Sequence, residues 1–455
     1  MFKSQQLNFV FALFGLLASL THCVAAQQTP PAVEQAPVLS LDDAVSLALK
    51  NNRQVKNAVL EVEKFTFQVK SARSRRLPQV QFDALGGELL HSFDFTFPTG
   101  SFGTYPNVGP IPNQDAKVHT PARFTTYLTG AVDEPLLQQY KIGLAIRETE
   151  LGKEIASEDV RSQRQKIAAE VRSAYFEIVA TQTAVEATRQ AVTTLEEAQR
   201  VTAEHEAQQT VLRAEALEVS ARLAKSRYNL SVAESALASQ HEHLNELLGR
   251  DVTTPFQVVT DIENDAPDLS LQAARESALG HRPEIREADL KQKQAELDRR
   301  LAKADYIPDL SASLRYQGLN NVEVLPANVT TVGFFLSWEP FDWGRRRNNV
   351  SEKARAAEQA RNGAKETTDQ IAVEVGLKYR KWKDAALLLT ATRSEQGAAA
   401  EQLRVTTNKY KEQAALVKDL LQAQTHSSEA DAQYQQALSS YWSSLAELRR
   451  AMGEE

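Results

Sequence analysis

Residues 167–195 read IAAEVRSAYFEIVATQTAVEATRQAVTTL, and apolar or small side chains recur in this stretch at alternating steps of four and three residues. The repeating positions are Ile167, Val171, Ala174, Ile178, Thr181, Val185, Thr188, Val192 and Leu195. A sustained period of 3.5 residues is typical of supercoiled helices. A helix running over residues 136–208 would be on the order of 110 Å long at 1.5 Å per residue. We therefore predict a long coiled coil rather than a surface helix on a compact core.

Proline is distributed unevenly around this stretch. The chain has 455 residues and 16 prolines, yet none falls in residues 136–254 or 341–455. Such long tracts without turn residues exclude an all-β fold and argue against alternating strands and helices. The sequence therefore predicts a mainly α protein with a small β part. The formal net charge of -7 makes nucleic acid an improbable partner.

The first 26 residues have the features of a cleaved export signal. Lys3 precedes an apolar run over residues 7–20, which is too short to span a membrane, and Ala26 ends a stretch of small residues suited to cleavage. A lipid-anchored Cys23 is the alternative, but His22 stands where a lipoprotein box needs a very small residue. Cleavage after Ala26 removes the single cysteine, which suits an oxidising exported compartment.

Two copies of one unit make up the rest of the chain. A shift of 230 residues superposes Ser40, Leu41, Ala44, Ala48, Leu49, Ala58, Leu60, Ala72 and Pro78 on identical residues of the second copy. A shift of 204 residues does the same for Ile167, Glu170, Val171, Tyr175, Arg200, Val201, Thr202 and Gly249. The first copy therefore carries 26 extra residues, and we expect them in a long loop over residues 86–121, which are rich in Gly and Pro.

These shifts predict the domain organisation. A proline-rich tail over residues 27–39 follows the signal peptide, and residues 40–254 form the first repeat. A linker over residues 255–269 leads to the second repeat, residues 270–455. Each repeat should contain a helix, a strand pair, a very long helix, a break and a further helix.

The strand pairs are expected at about residues 79–132 and 309–340, where apolar and polar residues alternate. Four strands cannot close a barrel around even a packed interior. An exported protein with such strands fits an outer membrane only if several chains contribute to one closed barrel. The sequence thus predicts an obligatory oligomer.

The duplicated order, the Glu339–Arg345 segment EPFDWGR, the Tyr410…Asp419-Leu420-Leu421 stretch and the end Leu448…Gly453 together resemble the TolC-type outer membrane efflux protein family. The resemblance covers about residues 39–453. It implies a homotrimer with one 12-stranded outer membrane β-barrel, continued by a helical barrel through the periplasm. It also implies a passive exit duct for efflux or type I secretion, with a periplasmic adaptor and an inner-membrane pump as partners. The alternative function is a non-conducting periplasmic coiled-coil scaffold or adaptor.

The resemblance further implies that the breaks between the long helices, near residues 206–213 and 410–418, are periplasmic tips that contact the adaptor. The residues expected at these tips are Gln209, Thr210, Val211, Gln413, Ala414, Ala415 and Leu416. Glutamine replaces the glycine that marks each tip in the family, so a less tight turn is expected. Uninterrupted helix is the alternative, because Ala and Gln favour helix.

Acidic side chains just past the tips are expected to narrow the pore. The resemblance assigns Asp419 to this constriction, and the 204-residue shift makes Glu215 its counterpart. Gln422 replaces a second acid, while Glu218 fills the equivalent position of the first copy. Tyr410 is expected to join the gating hydrogen bonds, with Lys418 or Arg213 as a basic partner. Rings of three carboxylates would attract cations, although solvated charges on a coiled coil are the alternative reading.

No catalytic or cofactor pattern accompanies these features. His241-Glu242-His243 lacks the i, i+4 spacing of a zinc helix, and no phosphate-binding loop or nucleophile elbow occurs. We therefore expect no enzyme activity, no cofactor and no metal centre.

Overall fold

The computed structural model describes residues 37–209, 211–259, 269–322, 325–412 and 414–455. The predicted signal peptide, its alternative at Cys23 and most of the proline-rich tail lie outside the described residues. The helices are α1 (Leu41–Asn51), α2 (Arg53–Ser74), α3 (Gln139–Ala207), α4 (Arg213–Leu247), α5 (Leu271–His281), α6 (Pro283–Ala304), α7 (Arg345–Lys411) and α8 (Val417–Ala451). The strands are β1 (Val38–Leu39), β2 (Gln79–Glu88), β3 (Phe93–Phe97), β4 (Thr104–Tyr105), β5 (Gly109–Pro110), β6 (Ala116–Thr120), β7 (Phe124–Pro135), β8 (Gln257–Val258), β9 (Asp309–Asn320) and β10 (Asn328–Ser337).

Two very long helices dominate the chain. Helix α3 has 69 residues and α7 has 67, so each extends over about 100 Å. Seven of the nine predicted heptad positions of α3 are buried, and Thr181 and Thr188 are half-buried. The predicted mainly α fold with coiled-coil hairpins is confirmed.

Shorter helices lie along these two. Helix α3 packs against α2 and α6 at its N-terminal end and against α4 and α8 farther along, while α7 packs against α6 and α8. The helical layer therefore runs in the order α2, α3, α6, α7 near the sheet and α4, α3, α8, α7 near the far end. One edge of this layer is formed by α2 and α4, and the other by α7.

The duplication recurs as repeated contacts. The Tyr175 hydroxyl donates to the Leu39 carbonyl at 2.9 Å, and the Tyr379 hydroxyl donates to the Leu269 carbonyl at 3.0 Å. Because the partners are offset by 204 and 230 residues, the two bonds are equivalent. Both bonds hold the segment that leads into a short helix against a long helix.

A second repeated contact joins the start of α2 or α6 to the end of a hairpin. Asn52 Nδ2 donates to the Leu247 carbonyl at 2.9 Å, and Arg282 Nη1 donates to the Ala451 carbonyl at 3.4 Å. Arg282 is 7% exposed and forms ion pairs with Glu284 and Glu374. The two copies thus fill equivalent sites with different chemistry.

Glycines end both hairpins. Gly249 has φ 68°, and a Cβ at that position would lie 2.5 Å from the Asn51 carbonyl oxygen. Gly453 has φ 86°, and its Cβ would lie 2.8 Å from the His281 backbone. Only glycine adopts a left-handed conformation at so close an approach without strain.

Two apolar clusters hold the helices together. The upper cluster joins α1, α2, α3, α4, α5, α7 and α8 around Tyr175, Ile178, Trp382 and Trp442. Phe176 stacks on Trp442 with ring centroids 4.3 Å apart. The tip cluster, at the far end, contains Val192, Leu195, Ala198, Val219, Leu223, Tyr410, Val417, Leu420 and Leu421.

The four long strands form one antiparallel sheet in the order β10-β9-β7-β2, so β10 and β2 are its edges. The register of the strand pairs shows which residues share each of its two faces. One row across the sheet reads Val332, Leu314, Val132 and Val80. The neighbouring row, on the opposite face, reads Thr331, Arg315, Ala131 and Gln81. Directly opposed residues share a face, so the sheet has one apolar and one polar face.

The prediction of a long loop over residues 86–121 is wrong in part, because this stretch contains short paired strands. After β2 ends, β3 pairs with β6 and β4 pairs with β5 as two antiparallel ribbons. Phe93, Phe95 and Phe97 alternate with polar residues in β3 and contact one another in sequence. The turns between these short strands are tight, so glycine and proline are frequent in this stretch. These turn residues concealed the alternating pattern of the strands in the sequence.

Among the described residues, no helix is both long enough and apolar enough to cross a membrane.

Candidate gate and tip site

The chain breaks at both positions where tips are predicted. Helix α3 ends at Ala207 and α4 begins at Arg213, while α7 ends at Lys411 and α8 begins at Val417. The apolar tip cluster lies directly behind both breaks and draws members from α3, α4, α7 and α8. Both hairpins therefore end together around one core.

The first turn has a strained residue. Gln209 adopts φ 59°, in the left-handed region that favours glycine, and its N–H donates to the Glu206 carbonyl at 2.9 Å. In the second turn the Ala414 N–H donates to the Lys409 carbonyl at 2.7 Å. Glutamine at the first tip thus takes the conformation of the expected glycine instead of opening the turn.

The two helices after the tips begin in the same way. Leu212 and Leu416 are extended residues that precede α4 and α8, with ψ 144° and 156°. The third residue of each helix is acidic, Glu215 in α4 and Asp419 in α8. Negative charge is favourable there because the N–H groups of a helix start form the positive end of its dipole.

Asp419 also caps α8. Its Oδ2 accepts a hydrogen bond from the Leu416 N–H at 3.1 Å. Leu416 has no polar side chain to return the bond, so only half of a capping box forms. The Asp419 side chain remains exposed to solvent, where a cation can reach it.

The Tyr410 side chain is buried and not exposed on the surface of the tip. It is 4% exposed, and its hydroxyl lies 2.8 Å from the Thr202 hydroxyl, which itself donates to the Ala198 carbonyl at 2.7 Å. The His205 ring lies edge-on to Tyr410 with centroids 6.2 Å apart. This contact links the two hairpins of one chain across the tip cluster.

The remaining predicted residues lie on the surface of the tips. Glu218 and Gln422 are exposed one helical turn beyond Glu215 and Asp419. Val211 and Ala415 are half-buried against the tip cluster, whereas Gln209, Ala414 and Leu416 are exposed. Thr210 and Gln413 lie outside the described residues.

The predicted basic partners stay apart from the acids. Arg213 and Lys418 are exposed at the starts of α4 and α8. Within the described chain, neither forms an ion pair with Glu215 or Asp419 shorter than 4.0 Å. Repeated ion pairs flank the tips instead, Arg200 with Glu197 and Arg404 with Glu401. The i, i+3 spacing of both pairs was visible in the sequence and is the signal that could have located them.

The described residues contain no group of three or more His, Cys, Asp and Glu side chains that could hold a metal ion. The tips carry exposed or half-buried carboxylates around the apolar tip cluster.

Comparison with known proteins gives a consistent result. The profile of the outer membrane efflux protein family (OEP) matches residues 274–454. No curated protein matches the chain in sequence.

Solved outer membrane channels share the fold. The CmeC channel of Campylobacter jejuni is 18% identical, with a TM-score of 0.72 over 91% of this chain and 85% of that one. VceC of Vibrio cholerae is 16% identical, with a TM-score of 0.69 over 91% and 96% of the two chains. The MtrE channel of Neisseria gonorrhoeae is 17% identical, with a TM-score of 0.68 over 91% and 89%. The chain therefore has the fold of the TolC-type outer membrane efflux proteins, and its second copy matches their sequence profile, which confirms the predicted resemblance to that family.

Proposed function

We propose that three copies of this chain form an outer membrane exit duct, which passively conducts substrates delivered by an inner-membrane pump and a periplasmic adaptor. The observation that carries the proposal is the four-stranded sheet, whose edge strands β2 and β10 each lack a second strand partner among the described residues. Exposed edges of this length are a liability unless they are paired.

Closure by threefold symmetry removes both edges. If β10 of one chain pairs with β2 of the next, three chains give a barrel of twelve strands, which is wider than the eight-stranded barrels that side chains can fill. The strands of the sheet have 10 or 12 residues, which matches the length needed to cross a bilayer at a tilt.

The two faces of the sheet fit lipid and water. Val332, Phe334 and Val80 on the apolar face are 82%, 77% and 62% exposed in the single chain. Such a face is stable against outer membrane lipid, with the polar face turned to the lumen. Trp338 and Trp343 follow at the end of the sheet, where aromatic side chains favour a membrane interface.

The same symmetry closes the helical layer. Apolar side chains are exposed on both of its edges: Leu60, Phe67, Leu217, Tyr228 and Val232 on α2 and α4, and Val373, Leu377 and Leu387 on α7. Packing α7 of one chain against α2 and α4 of the next would bury them in a periplasmic helical barrel. A soluble scaffold, the alternative function, would leave the apolar side chains of both edges and the apolar face of the sheet exposed to water.

Two paired substitutions on β10 test the duct. Val332→Arg places a charge on the face assigned to lipid, at a cost of about 2–4 kcal/mol for each strand at mid-membrane depth. Thr331→Arg, its neighbour on the opposite face, is the matched control. We expect Val332→Arg to abolish the outer membrane trimer and its conductance in planar bilayers, whereas Thr331→Arg should conduct with a shifted preference for anions. Equal behaviour of the two variants, or a soluble monomer of the parent protein after osmotic shock, would reject the duct.

The tip residues supply the gate and the adaptor contact in this proposal. Three copies of Asp419, and three of Glu215, would form carboxylate rings that bind cations. Asp419→Asn retains an oxygen that can cap α8 but removes the charge, so it should weaken block by divalent cations without unfolding the tip. A photo-crosslinking residue at Leu416 should capture the adaptor, and one at Tyr228 should capture the neighbouring copy of this chain.

A further inference from the structure

A polar cavity separates the two apolar clusters of the helical layer. On α8 the tip cluster ends at Leu421, and the upper cluster resumes at Leu438 and Tyr441. Leu438 follows Leu421 by 17 positions, which corresponds to about 25 Å of helix. Large apolar side chains are missing from the buried positions between them, which are occupied by alanine, serine and glutamine.

The cavity lies between α3, α4 and α8 and has a volume of about 200 Å³. Alanines of α3 and α8 leave the space open. Six polar side chains line it: Thr188 of α3, Ser226 and Asn229 of α4, and Ser428, Asp431 and Gln435 of α8. No lysine or arginine is among its lining residues in the described chain.

One of these side chains lacks a partner. Gln435 is 7% exposed, and its Oε1 is buried without a hydrogen bond in the described structure. A buried carbonyl without a hydrogen bond destabilises the fold, so such an atom indicates a bound group that completes its shell. Asp431 is half-buried, and its Oδ1 accepts from Gln396 Nε2 at 2.8 Å. Its second oxygen therefore remains available to the cavity.

The donor chemistry selects the occupant. Every ligand atom on offer is an oxygen, from a carboxylate, two amides and three hydroxyls, which suits a hard cation rather than a transition metal. The lining carries a single negative charge, and burying an uncompensated charge is costly. A monovalent ion gives a neutral site, whereas a divalent ion leaves an excess positive charge.

We propose that this cavity binds a monovalent alkali cation, Na⁺ or K⁺, held chiefly by the Asp431 carboxylate and the Gln435 carbonyl. The volume accommodates the ion together with several waters, each of which takes about 30 Å³. The bound ion would tie α8 to the α3–α4 hairpin at a level where α8 buries no large apolar side chain. The cohesion of the tips would then depend on which salt is present, and not only on ionic strength.

Thallium(I), a heavy monovalent probe, tests the site directly. Crystals of the full-length protein in detergent are soaked in thallium acetate, and anomalous scattering is measured. We expect a peak in the cavity beside Asp431 and Gln435 in the parent protein and no peak in Asp431→Asn or Gln435→Leu. Gln433→Leu, on the exposed side of α8, and Asp384→Asn, exposed on α7, are the matched controls and should retain it. Absence of the peak in the parent, or density for ordered water only, overturns the proposal.

A solution measurement keeps the proposal testable if a variant fails to crystallise. The Tm of the parent should rise with the concentration of NaCl or KCl relative to choline chloride at equal ionic strength, because a ligand of the folded state stabilises it. The salt that gives the larger rise identifies the preferred ion. Asp431→Asn should show no difference between the salts, and an equal difference in parent and variant would refute the site. Neither readout depends on conduction, so a failed bilayer experiment leaves this test intact.

Discussion

Replacing Tyr410 with phenylalanine removes one hydroxyl from the tip cluster and nothing else. Because the Thr202 hydroxyl donates to the Ala198 carbonyl, Tyr410 is the donor in the bond between the two side chains. In the variant, Thr202 keeps its own donated bond and loses only the one it accepts. The perturbation is therefore a single buried hydrogen bond between α3 and α7, without a new cavity or charge.

The expected loss is about 1 kcal/mol, since Thr202 is not left with an unpaired donor. That free energy corresponds to about a fivefold change in the equilibrium between a closed and an open tip. If three chains open their tips independently, each responds by this factor. If they open together, three bonds break at once and the change in the equilibrium exceeds about 100-fold.

Hydrogen exchange of tip peptides, read by mass spectrometry, measures this equilibrium without relying on conduction. We expect exchange over residues 403–421 to be at least about fivefold faster in Tyr410→Phe. Tyr140→Phe, which removes a hydroxyl from an exposed residue at the start of α3, far from the tip, is the matched control and should exchange like the parent. Unchanged exchange in Tyr410→Phe would show that the bond does not hold the tip closed.

Three further predictions concern stability. Gln209→Gly should raise the free energy of unfolding of the tip by about 1 kcal/mol, because it relieves a left-handed glutamine; urea denaturation measures it, and a loss of stability would contradict the strain. Gly249→Ala should lower the free energy of unfolding by more than about 2 kcal/mol, whereas Gly363→Ala, in open space within α7, should leave it unchanged or raise it. A similar Tm for the two variants would refute the steric argument. Burial opposes ionisation of Glu447, but hydrogen bonds from two lysines of α7 hold its pKa below 4.5. The ionised carboxylate therefore stabilises the folded protein above pH 4.5, and this stabilisation is lost as the pH falls through the lower pKa of the folded state. Glu447→Gln should flatten Tm against pH in that window, and an unaltered acid limb would count against the assignment.

The helical part of the fold was predictable because its signal is local and sustained. The spacing from Ile167 to Leu195 predicts the buried side of α3, and those positions are buried or half-buried in the structure. The tract without proline over residues 136–254 predicts that the helix is very long. The folded ribbons within residues 86–121 were missed, since Phe93, Phe95 and Phe97 are surrounded by glycine and proline that also suit a loop.

The tip residues illustrate what sequence cannot supply. The positions of the breaks follow from the repeat, but the burial of Tyr410 depends on Thr202, which is 208 residues away in the chain. The same holds for the cavity beside Gln435, because helical periodicity cannot tell which polar residues of α3 and α4 face it. Such pairings depend on how separate hairpins meet, which no local pattern encodes.

The equivalent sites of Asn52 and Arg282 have a consequence for the history of the gene. Asn52 and Gln54 of the first copy correspond to Arg282 and Glu284 of the second, where the guanidinium compensates Glu284 and Glu374. A chimera that carried Asn52 in the second copy would leave those two carboxylates together without a cation. A chimera with arginine in the first copy would keep Glu170, the counterpart of Glu374, but would have Gln54 in place of Glu284, so one of its two counter-ions would be missing. An exchange between the two copies therefore has to move Arg282 and Glu284 as a pair, because Glu374 already has an identical counterpart, Glu170, in the first copy.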